Sequence, residues 1–341
     1  SSSSLRGNSA ATTRPLLRFA LTTAALVRPP PRMISSGADY PALRAFLEHD
    51  REAYHLEGPT DEMRSALLEW YGQNRRRLPW RGDPPPYNGS TAGINSAAAS
   101  APAAPAAPAS TPATPVAPVS AYGVWVSEIM CQQTRVEAVI PYWLAWMEAF
   151  PTVEALAAAA DEEVNARWAG LGFYRRARFL HEGSQQVVAD FGGVVPSTVD
   201  ELMSIKGIGR YTAGAIASIC GGAAAPIVDG NVLRVAARLR AVAASAKEAA
   251  YCADGKLSWA IATQMVEAGG GVRPGELNQA IMELGATLCA PGGSGTDPRD
   301  PLAPYYLSAQ IGRDAYRAHL AGDLLPLLDR YATPADADAD A

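Results

Sequence analysis

The chain has 341 residues, 48% of them hydrophobic, which is enough apolar material for one or two packed domains. Its formal net charge is −5, which excludes a protein that grips nucleic acid by bulk positive charge, though not one with local basic patches. Cys131, Cys220, Cys252 and Cys289 stand far apart, so no disulfide framework is expected, and no apolar run approaches the ~18–20 residues of a membrane span.

Residues 1–38 carry Arg6, Arg14, Arg18, Arg28 and Arg32 and no acid, among Ser, Thr and Ala. That composition suits an organellar transit segment or a plain disordered tail, and 1–60 is expected to stay outside the fold. "MRSALLEWYGQ" then spaces Met63, Leu67 and Trp70/Tyr71 at helical intervals, opening an ordered segment over 61–83. Residues 84–121 are a Pro/Ala-rich block that cannot pack a core and read as a disordered insertion. Beyond it "VWVSEIMCQQTRVEAVI" resumes the helical period, and Pro141 is expected to open the next helix. "TVEALAAA" and "DEEVNARWAG" carry Thr and Asp start signals, "RRARFLHEGSQQVVADFG" ends in glycine, and "TVDELMSI" starts at Thr198. "RYTAGAIASICGG", "NVLRVAARLRAVAA", "LSWAIATQMVEAG" and "LNQAIMELGATLC" follow, and an acidic tail fills 333–341. No alternating strand pattern of useful length occurs, so the fold class is all-α with short Gly-containing connections.

Four stretches carry chemistry. In "LMSIKGIGRYTAGAIAS" a helix ends at Ile205, Lys206, Gly207 and Gly209 make a tight turn, and a small-residue helix starts near Arg210. G-x-G alone fits any helical hairpin. The added Arg210 and "TAGAIAS" favour a helix-hairpin-helix, about 198–219, that reads DNA backbone through free N–H groups. In "PIVDGNVLRVAARL" Asp229 stands at a helix start; taken alone it is a cap, and functionally it is a carboxylate kept ionised by the helix terminus, able to stabilise a developing cation. In "VWVSEIMCQQT" Glu128 sits in an apolar segment with Trp125 and Gln132 on its face. A surface Glu is the plain reading; a Glu on an apolar face holds its proton longer, which suits a general acid. Gln132, Gln133 and Thr134 follow as base-contacting candidates. In "GLGFYRRARFLHEG", Tyr174 and Arg175 lead a basic cluster beside aromatics, and Arg75, Arg76 and Arg77 precede "LPWR". Basic runs are usually solvated faces, but adjoining aromatics raise the nucleic-acid reading.

"LPWR", "VWVSEIMCQQTRVEAVIPYW", "WAGLGFYRRARFLHEG", "IKGIGRYTAGAIAS", "VDGNVLRV" and "LNQAIMELGATLC", in that order, resemble the adenine-specific mismatch DNA glycosylases (MutY type) of the helix-hairpin-helix glycosylase superfamily. The resemblance covers roughly Met63 to Cys289 apart from the insertion. It implies two helical subdomains with a DNA-binding cleft between them: a six-helix barrel over 122–223, and a second subdomain joining 61–83 to 224–332. It implies a monomeric enzyme that flips out adenine mispaired with 8-oxoguanine or guanine in double-stranded DNA and hydrolyses its N-glycosidic bond, with no membrane partner. Glu128 matches the acid that protonates the base, Asp229 the carboxylate that stabilises the sugar cation, and Asn231 its support. Tyr211 stands where bifunctional relatives carry a Schiff-base lysine, so a monofunctional enzyme is expected. Arg76, Trp80, Arg81 and Gln279 match the adenine pocket, and Gln133 the residue inserted beside the orphaned base. Lys206 stands where the family usually has proline.

Two departures are visible. The family usually holds a 4Fe-4S cluster on four cysteines, and only Cys289 matches a ligand, so the cluster is expected to be lost and no cofactor is expected. "DPLAPYYLSAQIGRDAYRAHLAGDLLPLLDRY" then has to support the domain by packing Leu302, Tyr305, Tyr306, Leu307, Leu320 and Leu324. The family also often carries a Nudix-like domain that reads 8-oxoguanine, and the sequence ends at Ala341 without one, which leaves that preference open. The alternatives are an endonuclease III-like enzyme on oxidised pyrimidines, which Tyr211 and "SEIMCQQT" oppose, and an inactive DNA-binding paralogue, which joint retention of Glu128, Tyr211, Asp229 and Asn231 opposes. The implied location is the nucleus or an organelle, mitochondrion or plastid.

Overall fold

The computed structural model describes residues 60–89, 119–242, 251–291 and 297–321. The Arg-rich leader, most of the Pro/Ala block, Leu324 and the acidic tail lie outside the described residues. Within them the chain forms twelve α-helices and no strand. They are α1 (Thr60–Asn74), α2 (Ala121–Cys131), α3 (Val136–Ala149), α4 (Val153–Ala157), α5 (Asp161–Trp168), α6 (Arg175–Phe191), α7 (Val199–Ser204), α8 (Arg210–Ile219), α9 (Gly230–Arg240), α10 (Lys256–Glu267), α11 (Pro274–Ala286) and α12 (Leu307–Ala321). No described helix is long and apolar enough to cross a membrane.

Helix limits follow local chemistry. Thr152 and Thr198 accept from the backbone N–H of Ala155 and Glu201 and so start α4 and α7. Gly192, left-handed at φ 62°, stops α6. The start of α3 differs from the sequence reading. The helix begins at Val136 because Gln132–Thr134 leave helical geometry, and Pro141 lies inside it. Pro141 has no N–H to donate to the carbonyl of Glu137, and both residues are exposed to solvent. Gln132 accordingly ends α2 and does not extend the face of Trp125 and Glu128.

Burial divides into two cores. One is built by α2–α8 around Trp125, Trp146 and Trp168, with Trp146 edge-on to Trp168 at 5.5 Å between ring centroids. The other joins Leu67, Trp70 and Tyr71 of α1 to α9, α10, α11 and the Leu302–Tyr306 turn. Helix α8 is a shared wall: Ala213, Ile216 and Ala217 face the first core and Ala215 the second. In the final segment Leu302 and Tyr306 are buried, but Leu320 is 60% exposed and does not pack as the sequence suggested. The first residues of the Pro/Ala block also depart from expectation. Residues 84–89 fold back on the "LPWR" turn: Arg77 Nη2 donates to the Pro84 carbonyl at 2.7 Å, and Gly89 is buried against α3.

Candidate active site

Helix α2 carries Glu128 as its one charged residue, between buried Ser127 and Ile129. The Tyr211 hydroxyl, from the first turn of α8, donates to Glu128 Oε2 at 2.9 Å. Burial pushes the Glu128 carboxyl up to about 7; the Tyr211 hydrogen bond and the Arg81 charge pull against it, while the Asp229 charge adds to it. Burial and the Glu128 charge hold the Tyr211 phenol well above its ordinary value, so it stays protonated.

Asp229 is the N-cap of α9. Its Oδ1 accepts from the backbone N–H of Asn231 at 2.9 Å and of Val232 at 2.8 Å, and its Oδ2 accepts from Asn231 Nδ2 at 2.6 Å. Burial raises this carboxyl, and those three donors work to keep it ionised. Arg234 Nη2 donates to Asn231 Oδ1 at 2.6 Å and to the Gly285 carbonyl at 2.9 Å. That bond fixes which way the Asn231 amide points, and so fixes its NH2 on Asp229.

Two of the four pocket candidates, Arg76 and Arg81, are held by a residue the sequence reading did not single out. Glu283, on α11, is fully buried. Its Oε1 accepts from Arg76 Nε at 2.6 Å and from the Arg76 backbone N–H at 3.1 Å; its Oε2 accepts from Arg76 Nη2 at 3.2 Å and Arg81 Nη2 at 3.0 Å. Burial alone raises the Glu283 carboxyl, but the Arg81 and Arg76 charges and hydrogen bonds outweigh it and hold it at about 2. Arg81 also lies over the Tyr71 ring, 5.4 Å from its centroid, and the Tyr71 hydroxyl donates to Gln279 Oε1 at 3.2 Å. Trp80 packs on the first core, 6.0 Å from Trp143.

The surface candidates lie at helix ends. In the hairpin, Gly207 has φ 86°, and a Cβ there falls 2.6 Å from Phe179 Cβ, so only glycine fits the turn. Gly209 caps α8, and Lys206 is exposed with Nζ 3.0 Å from Glu182 Oε2. Arg210 is exposed at the helix start but stacks over Trp259, 3.7 Å from its ring centroid, which joins the hairpin to α10. Gln132 and Gln133 are exposed, Gln133 in the left-handed region at φ 57°. Their loop hangs on Arg176, whose Nη1 donates to the Met130 and Gln132 carbonyls at 2.9 and 2.6 Å and stands 3.4 Å from Thr134 Oγ1. Arg176 Nη2 donates to the Leu171 and Gly172 carbonyls at 3.0 and 3.2 Å, fixing the loop that presents Phe173 and Tyr174, 63% and 47% exposed. Arg175 stacks on Phe179 at 4.8 Å.

Cys289 does not meet the demands of an iron–sulfur site. It is fully buried; its sulfur accepts from Arg238 Nη1 at 2.7 Å and lies against the Tyr306 hydroxyl, which donates to Asp300 Oδ2 at 2.8 Å. All four cysteines are among the described residues, and no group of three or more His, Cys, Asp or Glu side chains able to hold a metal occurs there. A cluster of this kind takes four thiolates, so this donor set does not fit it.

A helical barrel sharing one wall with a second helical core, and a Gly-turn hairpin beside a half-buried Glu/Asp pair, define a class. The fold matches the solved structure of a thermostable thymine-DNA glycosylase at a TM-score of 0.55 and 20% identity, covering 74% of this chain and 96% of that one, which places it among the helix-hairpin-helix DNA glycosylase folds. Residues 126–254 match the HhH-GPD superfamily base excision DNA repair proteins, and the chain belongs to that superfamily. Within it, the chain is 42% identical over 259 residues to the adenine DNA glycosylase of Arabidopsis thaliana and 41% identical over 249 residues to that of Homo sapiens. Those matches take in 70% and 72% of this chain but only 36% and 40% of the two relatives, so the chain spans about two fifths of their length.

Proposed function

We propose that this chain is a monofunctional adenine DNA glycosylase that acts as a monomer on adenine opposite 8-oxoguanine or guanine in double-stranded DNA. The observation that carries the reading is the pair of unlike carboxyls: Glu128, half-buried with its carboxyl pushed up to about 7, and Asp229, held by three N–H donors at a helix start. The target base lies inside a duplex and has to be extruded into the cleft. Adenine leaves poorly until a ring nitrogen is protonated, and Glu128 supplies that proton to N7. Departure leaves an oxocarbenium-like sugar, whose positive charge Asp229 stabilises before water adds at C1′. Tyr211 orients Glu128, and a phenol cannot form the imine that a strand-cleaving lyase needs.

The test is a duplex with adenine opposite 8-oxoguanine. Strand breakage is expected only after alkali, and breakage without alkali counts against the monofunctional reading. Because the protonated form of Glu128 is the active one, the single-turnover rate is expected to fall as pH rises through about 7. We also propose that the buried contacts of Cys289 with Arg238 and Tyr306 stand in for an iron–sulfur cluster. Substoichiometric iron in the purified protein, and a melting temperature unchanged by dialysis against a chelator, are the expected results; a full complement of iron overturns the idea.

A further inference from the structure

Glu283 has no part in the chemistry proposed above, yet it is a fully buried charge with four hydrogen bonds from two arginines. Burying one carboxylate among two guanidinium groups is costly unless the arrangement does something that an apolar contact cannot. Its surroundings show what that is. The charged and titratable groups acting on Glu128 are Tyr211 from α8, Asp229 from the start of α9 and Arg81 from the Pro79–Arg81 turn. One turn along α2, Cys131 feels Glu128 together with Arg76, Arg81 and, from α6, Arg176. Two arginines therefore stand within electrostatic reach of the end of α2 that carries the proton donor. A guanidinium left without a partner takes the nearest carboxylate, and a carboxylate so paired gives up its proton.

Every terminal nitrogen of both arginines has a partner other than Glu128. Arg76 Nη2 and Arg81 Nη2 donate to Glu283, Arg76 Nη1 donates to the Gly89 carbonyl at 3.3 Å, and Arg81 Nη1 donates to the Arg76 carbonyl at 3.1 Å. We propose that Glu283 is a positioning residue that engages Arg76 and Arg81 and so keeps both guanidinium groups off Glu128, leaving Glu128 able to hold the proton it delivers. The proposal rests on Glu128 as the proton donor, and it makes the pocket arginines a controlled hazard for the acid rather than only a wall for the base.

The readout is the titration midpoint of the Glu128 carboxyl, followed by NMR in protein labelled at glutamate Cδ and assigned by the peak lost in Glu128→Gln. In Glu283→Gln the midpoint is expected to fall by about one pH unit or more, as an arginine turns to Glu128. Glu283→Asp, which keeps the charge, is expected to restore most of the difference. If Glu283→Gln does not fold, Arg76→Gln/Glu283→Gln carries the test. It removes one charge of each sign, leaves Arg81 without its carboxylate, and is expected to show the same fall. A midpoint that stays in place or rises in the folded variant overturns the proposal. This measurement does not depend on turnover. Failure of the wild type to release adenine counts against the proposed function, whereas an unmoved midpoint counts against the role of Glu283.

Discussion

Glu128→Gln is expected to lower the single-turnover rate of adenine release by about a hundred-fold or more, while duplex affinity stays within a few-fold. The amide keeps the shape of the carboxyl and its contact with Tyr211 but has no proton to give. The same variant carries a stability signature. Glu128 titrates near 7 in the fold and near its ordinary 4.5 when unfolded, so the folded state binds the proton more tightly. Its contribution is neutral below about pH 4, where both states are protonated. It becomes unfavourable as pH rises, reaching about 2–3 kcal/mol above pH 7. Glutamine removes that burden. Melting curves are therefore expected to coincide for wild type and variant in acid, and to separate in favour of the variant at pH 8. A variant that kept full excision would remove Glu128 from the mechanism.

The second large effect is expected at Asp229. Asp229→Asn should lose about two to three orders of magnitude in excision rate with DNA binding retained. Asparagine caps a helix nearly as well as aspartate, so α9 keeps its start. What is lost is the charge that the proposed mechanism sets against the sugar cation. The substitution also places one amide NH2 against another. Arg234 holds the Asn231 oxygen, so Asn231 can offer only its NH2 to position 229. A donor facing a donor in a buried site costs about 1–3 kcal/mol, which a modest drop in melting temperature measures. Excision close to the wild-type rate would argue that the charge at Asp229 is not what stabilises the sugar.

How far the sequence reached depended on the range of each interaction. Thr198, Asp229 and the glycine turn at 207–209 were readable because caps and tight turns are set by neighbours within four residues. Glu128 was readable as a polar residue in an apolar run, and Tyr211 only through the family resemblance. Glu283 was not, because its partners lie 207 and 202 residues away and no local period signals them. Arg176 looked like one member of a surface cluster, yet it gathers carbonyls from two separate loops. Arg76 was read as pocket wall. It is 7% exposed and held by Glu283 and the Gly89 carbonyl. Pro141 misled because proline marks helix starts more often than second turns.

Helix α11 is pressed against its neighbours at two glycines. A Cβ on Gly275 falls 2.5 Å from Ile219 Cα on α8, and one on Gly285 falls 2.6 Å from Asn231 Cβ on α9. Backbone lies on backbone at both places, with no side chain between to compress or turn aside. Tyr211, Asp229, Gln279 and Glu283 therefore ride on one rigid block and cannot spread apart to let a base in. Any widening at this site has to come from outside those three helices, at the Pro79–Arg81 turn or the Gln132–Thr134 loop.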